Sequence, residues 1–188
     1  MIKHYFKQFE LFTDEELVHI ESLFVKQIIN KDDFFIKEGE MCKHIAFIES
    51  GILRSFYITD DGKDTTYCFR FPNETAASYS SFITGKGSPE NIQAVSNAVV
   101  YLIKRETIEQ LTNTQPKWVL FLKIVAEQEY LELEKRFFQL QRESATNRYQ
   151  YLLNHQAHYI QDIPLQYLAS YLGITQRHLS RIRKAINF

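Results

Sequence analysis

The segment that carries the most chemical information runs from Ile163 to Ile186, IPLQYLASYLGITQRHLSRIRKAI. From Pro164 onward there is no Asp or Glu, while Arg177, Arg181, Arg183 and Lys184 supply positive charge. Leu165, Leu168, Ala169 and Leu172 stand at i, i+3, i+4 and i+7, one face of a short helix. Gly173 interrupts that helix, and Thr175 is a good N-cap for a second one whose inward residues are Leu179, Ile182 and Ile186. Ala169 is small enough for two helices to cross there, and Gly173 supplies a turn with positive φ. This is the pattern of a helix-turn-helix. The outer face of the second helix then presents Gln176, Arg177, His178, Ser180, Arg181, Arg183 and Lys184. A guanidinium can bond guanine, and a carboxamide adenine, in bidentate fashion, so Gln176, Arg177 and Arg181 are the expected base readers in a major groove. Thr175, Arg183 and Lys184 are better placed for phosphates. The competing reading is an ordinary helical hairpin with a solvated basic face.

Other reactive residues are sparse. Cys42 and Cys68 are the only cysteines, too few for an iron–sulfur cluster or a disulfide framework, and a reducing cytoplasm suits them. His155 and His158 lie at i, i+3 but lack a third ligand nearby, so they read as surface residues, and no metal or cofactor is expected. The β-like part of the chain holds one histidine, His44, which argues against a cupin-like metalloenzyme. There is no Gly-rich phosphate loop, nucleophile elbow or zinc-protease motif, so the chain is read as not an enzyme. Tyr79, among Ser78, Ser80 and Ser81, is either the lining of a small effector pocket or a plain strand-to-turn segment.

These residues need a frame. The 188 residues are 45% apolar and 24% charged, enough to build one large or two small cores rather than a disordered chain. The net charge of −1 hides an asymmetry, because the basic C-terminal segment leaves the rest of the chain acidic. No run approaches the roughly 18 uncharged apolar residues of a membrane span, and the start lacks the apolar core of a secretory signal. Residues 1–24 read as helical, with Thr13 and Glu16 forming a capping box. Residues 25–104 read as short strands: Phe34–Ile36, Ile45–Ile48, Ile52–Ile58, the alternating run to Phe71, Ile92–Val95 and Val99–Ile103. Asp60-Asp61-Gly62-Lys63 is a hairpin turn, and Pro72, Gly85, Gly87 and Pro89 mark a turn-rich stretch. Pro116 opens a long helix, with Asn113 or Thr114 as the expected cap. Two apolar rows run along it, Ile124, Leu131, Phe138 and Leu122, Ala126, Tyr130, Leu133, Phe137, Leu140. One row suits the β domain and the other a second copy of the chain; the competing reading is a single core helix. A break over Ser144–Asn147 precedes another helix with Tyr149, Leu152 and Leu153 inward.

In the order of its parts and in two motif regions the chain resembles the Crp/Fnr (cyclic-AMP receptor/fumarate-nitrate regulator) family of bacterial transcription factors over nearly its whole length. One region is FFIKEGEMCKHIAFIESGILRSFYI, with Gly39 and Gly51 at turns, which looks like the opening of a cyclic-nucleotide-binding β-roll; the other is Ile163–Ile186. The resemblance implies an α+β fold: a β-roll sensor over residues 1–115, a dimerisation helix over 116–143 and a helix-turn-helix DNA-binding domain over 144–188. It implies a cytoplasmic homodimer that binds double-stranded promoter DNA, with RNA polymerase and an unknown small-molecule effector as further partners and no membrane. The alternative is a small-molecule-binding module that does not read DNA. The sequence departs from the family's cyclic-AMP cassette. Aligned on Phe82 and Gly85, its Gly-Glu pair falls on Ala77-Ser78 and its Arg-Ser pair on Ser88-Pro89. Both charged groups are absent and Pro89 has no backbone donor, so cyclic AMP is not the expected ligand, although Ala77, Ser78, Tyr79, Ser88 and Pro89 remain the candidate effector pocket. Lys86 or Arg70 are the available substitute cations. Of the family's Arg-Glu…Arg readers, aligned with Gln176, Arg177 and Arg181, only the last is retained, so a different operator is expected. No wing hairpin is expected after the recognition helix.

Overall fold

The structure, a computed structural model, describes residues 1–186. Two short helices, α1 (Ile2–Lys7) and α2 (Asp14–Ser22), begin the chain. The Thr13 hydroxyl accepts the Glu16 N–H at 3.3 Å and Glu16 Oε2 accepts the Thr13 N–H at 2.9 Å, the reciprocal cap read from the sequence.

Strands β1 (Val25–Ile29), β2 (Phe34–Ile36), β3 (His44–Ser50), β4 (Leu53–Ile58), β5 (Asp64–Arg70), β6 (Thr75–Ala76), β7 (Asn91–Ala94) and β8 (Ala98–Lys104) follow. They form two four-stranded antiparallel sheets, ordered β1-β8-β3-β6 and β2-β7-β4-β5. Ile48, Val100, Leu53, Ile92 and Ala94 are almost completely buried in the core these sheets share, as their alternation requires. At Gly51 (φ +86°) a Cβ would lie 2.5 Å from the Asn97 carbonyl oxygen and 2.6 Å from Ala98 Cα, so the turn into β4 tolerates no side chain. The sequence reading does not separate β1 or β6, and it takes the stretch after Pro72 as turns. There the chain instead forms a helix, α3 (Tyr79–Thr84), ended by Gly85 at φ +69°. Its serines are weak helix formers, and the packing of Phe82 into the shared core holds the turn that propensity does not.

A second apolar cluster joins α1 and α2 to Phe47 of β3, Leu111 of α4 (Arg105–Thr114), and Trp118 and Phe121 of α5 (Pro116–Arg142). Asn113 and Thr114 do not cap α5. They belong to the last turn of α4, where Thr114 Oγ1 donates to the Gln110 carbonyl at 2.8 Å, and Gln115 separates the two helices. The 27 residues of α5 extend about 40 Å. In its first turns Trp118 and Phe121 are buried while Val119 and Leu120 are exposed; farther on, Tyr130, Leu131, Leu133 and Phe137 are each more than half exposed. Helices α6 (Ala145–His155, capped by Ser144), α7 (Ala157–Asp162), α8 (Leu165–Tyr171) and α9 (Gln176–Ile186) complete the described chain. Tyr149 and Leu152 of α6 are buried as expected, and Leu153 is half-buried.

Two compact units result. One comprises Met1–Tyr57 with Phe69–Ala126, and the other Ile58–Cys68 with the chain from Glu127 onward. Among the described residues no helix is long and apolar enough to cross a membrane.

Candidate nucleic-acid interface

Within the second unit, α8 and α9 form the helix-turn-helix. Helix α8 ends in a left-handed Gly173 (φ +70°), where the Gly173 N–H donates to the Ser170 carbonyl at 2.9 Å and the Ile174 N–H to the Ala169 carbonyl at 3.0 Å. Those paired bonds close the last turn as a Schellman cap. Thr175 caps α9, its Oγ1 accepting the His178 N–H at 3.2 Å. Leu168, Ala169, Leu172, Leu179 and Ile182 are buried; Ile174 and Ile186 are half-buried.

The same arrangement turns the polar residues outward. Thr175, Gln176, Arg177, His178, Arg181 and Lys184 are exposed, and Ser180 and Arg183 are half-buried. Among the described residues no carboxylate pairs with Arg177, Arg181, Arg183 or Lys184. One face of one helix therefore offers guanidinium, amide, imidazole and ammonium donors with no internal acid to compete for them. That is the chemistry of a polyanion-binding surface with a readout-capable helix start.

The turn before α9 is braced by side chains that the sequence did not single out. Arg148, only 9% exposed, donates through Nη2 to the Leu172 carbonyl at 2.8 Å and through Nη1 to the Glu143 carbonyl at 2.5 Å. Arg136 donates to the Tyr171 carbonyl, and its guanidinium lies 3.7 Å from the centroid of the Tyr171 ring. Burial pulls both guanidinium pKa values down and pushes the Tyr171 phenol up. Arginine remains charged in spite of that. In sequence these arginines look like ordinary cations of a mixed-charge helix; only the convergence of three helix ends reveals what they hold.

The candidate effector positions lie in the first unit, on and beside α3. Ser78 and Ser88 are buried and joined by a hydroxyl–hydroxyl bond of 2.9 Å. Ser88 Oγ also donates to the Glu90 carbonyl at 2.6 Å and accepts the Glu90 N–H at 3.2 Å. Ala77 and Tyr79 are half-buried, Pro89 and Lys86 are exposed, and Arg70 is half-buried. Ser81, buried, accepts the Cys42 N–H at 2.9 Å and donates to the Lys86 carbonyl at 2.5 Å. The Ser78, Ser81 and Ser88 hydroxyls are thus turned onto one another and onto backbone. Glu90, 6% exposed, is a buried acid that the sequence reading missed; its position directly after Ser88-Pro89 was the available signal. The Cys42 thiol is pushed up by burial and by the field of Glu90. A cavity of about 310 Å³ lined by Gln27, Ile28, Ile29, Asp33, Phe34 and Lys37 includes none of these residues. His155 stacks on Tyr151, 4.4 Å between centroids, and its Nδ1 lies 3.0 Å from the Tyr151 carbonyl.

Residues 26–115 match the family model of the cyclic nucleotide-binding domain. No curated protein matches the chain. Among solved structures, the chain is similar to FixK2 from Bradyrhizobium japonicum, with 19% identity, a TM-score of 0.77, and coverage of 87% of this chain and 84% of that one. It is similar to the catabolite activator protein of Thermus thermophilus at 20% identity and a TM-score of 0.60, covering 93% and 84%. A crp/fnr-family transcriptional regulator from Eubacterium rectale aligns at 16% identity and a TM-score of 0.72, covering 98% and 88%.

Proposed function

We propose that this chain, a cyclic nucleotide-binding domain over residues 26–115 in a polypeptide with the fold of the Crp/Fnr transcriptional regulators, is a sequence-specific DNA-binding transcription regulator that works as a homodimer. One observation carries the reading: the acid-free outer face of α9, exposed at its start and preceded by a capped, rigid turn. Arg181, Arg177 and Gln176 read base edges, His178 and Ser180 flank them, and Thr175, Arg183 and Lys184 hold phosphates. The exposed apolar residues of α5 support a second copy as the partner of that helix. In this reading residues 1–115 sense, 116–143 dimerise and 144–188 read DNA.

The sensor does not take cyclic AMP. A cyclic phosphate needs a cation at the cassette, and the stretch instead holds a serine pair bonded to itself and a buried glutamate.

Selection from a random duplex pool, with Arg181→Ala in parallel and cyclic AMP present or absent, tests this. The expected result is a two-fold symmetric site, lost in the variant and independent of cyclic AMP. Enrichment that requires cyclic AMP overturns the reading of Ser78 and Ser88. A folded dimer that enriches no sequence favours a small-molecule-binding module.

A further inference from the structure

Three consecutive residues at the end of α8 are each gripped from outside the helix-turn-helix. Ser170 Oγ accepts the Thr66 N–H at 2.9 Å and donates to the Asp64 carbonyl at 3.1 Å, so one hydroxyl serves two backbone groups of β5. The Tyr171 carbonyl accepts from Arg136, and the Leu172 carbonyl from Arg148. Arg148 also reaches Glu143, one residue past the end of α5, and, at 3.4 Å, the Gln139 carbonyl in its last turn. Its single guanidinium therefore bonds the C-terminal ends of α5 and α8 together. The Glu143 and Leu172 carbonyls lie past the last helical N–H and carry the negative end of each helix dipole, whereas the Gln139 carbonyl also accepts the Glu143 N–H at 3.1 Å. A planar fork with five donors suits such convergent acceptors, whereas a lysine ammonium is a point charge.

Neither arginine forms an ion pair among the described residues, and the Nε of each is buried without a hydrogen-bond partner. Burying a cation with one donor unsatisfied is costly. Simple surface solubility does not call for it, whereas fixing an angle between two helices does. The residues held, Tyr171 and Leu172, come immediately before the Gly173-Ile174-Thr175 turn that launches α9.

We propose that Arg136 and Arg148 are positioning residues: they lock the start of the recognition helix to the C-terminal end of α5, so that two recognition helices of a dimer are held at a set spacing. The proposal rests on the DNA-reading homodimer above. It distinguishes two properties that a general loss of folding would remove together. An unlocked but folded helix-turn-helix still binds one half-site. It loses the gain from engaging two half-sites at once, because that gain depends on geometry that permits simultaneous contact.

The test compares wild type with Arg136→Met, Arg148→Met and Arg148→Lys on duplexes carrying one or two copies of the selected half-site, with spacers lengthened or shortened by single base pairs. Methionine fills the path of the arginine stem and removes the unsatisfied Nε. The expected result is half-site affinity within about twofold of wild type, with two-site affinity reduced about tenfold or more and the spacing preference flattened. Arg148→Lys is expected to behave like Arg148→Met, since one ammonium does not bridge both helix ends; rescue by lysine overturns the bridging role. Wild-type two-site affinity and spacing preference in all the variants overturn the proposal. So does a parallel loss on both duplexes, which assigns the arginines to folding alone. Amide hydrogen exchange over Gly173–Leu179 in the free proteins gives a readout that needs no DNA. Exchange about tenfold faster in the Met variants is expected for a released turn, and unchanged exchange refutes the lock. If wild type binds neither duplex, the DNA-reading proposal fails and exchange alone decides whether the lock exists.

Discussion

Arg181 and Arg183 stand two positions apart on one helix, the first exposed and the second half-buried, and their expected roles differ accordingly. As a base reader, Arg181 should cost about 1–3 kcal/mol of specific binding when replaced by alanine, with affinity for unrelated duplex nearly unchanged. Lys184→Ala, at a proposed phosphate contact, should weaken all sequences alike and reduce the slope of log affinity against log salt by about one. Anisotropy titrations over a salt series separate the two; equal losses on specific and unrelated DNA for Arg181→Ala would remove it from the base readers. In the first unit, Ser88 is 3% exposed and already bonded to Ser78 and to the backbone of Glu90. The melting temperature should therefore not move with excess cyclic AMP, since a ligand stabilises a fold only by binding it. A rise that grows with nucleotide concentration would refute the closed cassette.

Helix ends and turns set the energetics of the elements. At Gly173 an added Cβ would come no closer than 3.7 Å to Leu140 and 3.8 Å to Arg148, so space is not what demands glycine there. Its φ of +70° is, and Gly173→Ala should destabilise by about 1–2 kcal/mol, read as a shift of the urea midpoint. Gly51→Ala should cost more, because there the added atom meets backbone. The pair between Lys117 Nζ on α5 and Glu16 Oε1 on α2, 2.6 Å apart, provides a pH signature. The bond from Lys117, and after it the Thr13 N–H, hold the Glu16 carboxyl below the usual carboxylate range. A depressed folded-state pKa contributes stability that is fully present above the unfolded value and is lost as pH falls through the folded one. Lys117→Met should thus lower the urea midpoint at neutral pH and lose that difference in acid. The effect should stay below about 1 kcal/mol, because both side chains are a third exposed and screened. A gap that persists unchanged in acid would show that the ion pair is not its source.

For the whole molecule the decisive feature is α5, whose later turns expose Tyr130, Leu131, Leu133, Phe137, Phe138 and Leu140. These residues come from both apolar rows of the helix, so neither row is spent on the β domain in these turns, and exposed apolar surface of this length matches the pairing of two such helices. Sedimentation equilibrium should give a dimer for wild type and a monomer for Leu131→Glu, with two-site DNA affinity lost and half-site affinity kept. A wild-type monomer at all accessible concentrations would leave the row unexplained and the homodimer refuted.

Much of this was legible in one dimension. The capping box at Thr13, the strands ending at Asp60-Asp61-Gly62-Lys63, the long helix after Pro116 and the two helices around Gly173 are local signals. Period, caps and glycine conformation depend on neighbours a few residues away. The identities of the outward residues of α9 follow for the same reason, since a helical period assigns faces without knowledge of the rest of the molecule. The helix α3 was not legible, because its serines carry no helical preference and Phe82 finds its packing only once both sheets are in place. Arg136, Arg148 and Ser170 were equally silent, and for Glu90 only its place after Ser88-Pro89 gave a signal. The decisive partners of the two arginines and of Ser170 lie on other elements, as with Ser170 bonding residues 104 and 106 positions earlier in the chain. Periodicity along the chain determined which surface could read DNA. Only the tertiary structure decided how that surface is held and that the serine cassette is closed on itself, because both depend on groups that meet solely through folding.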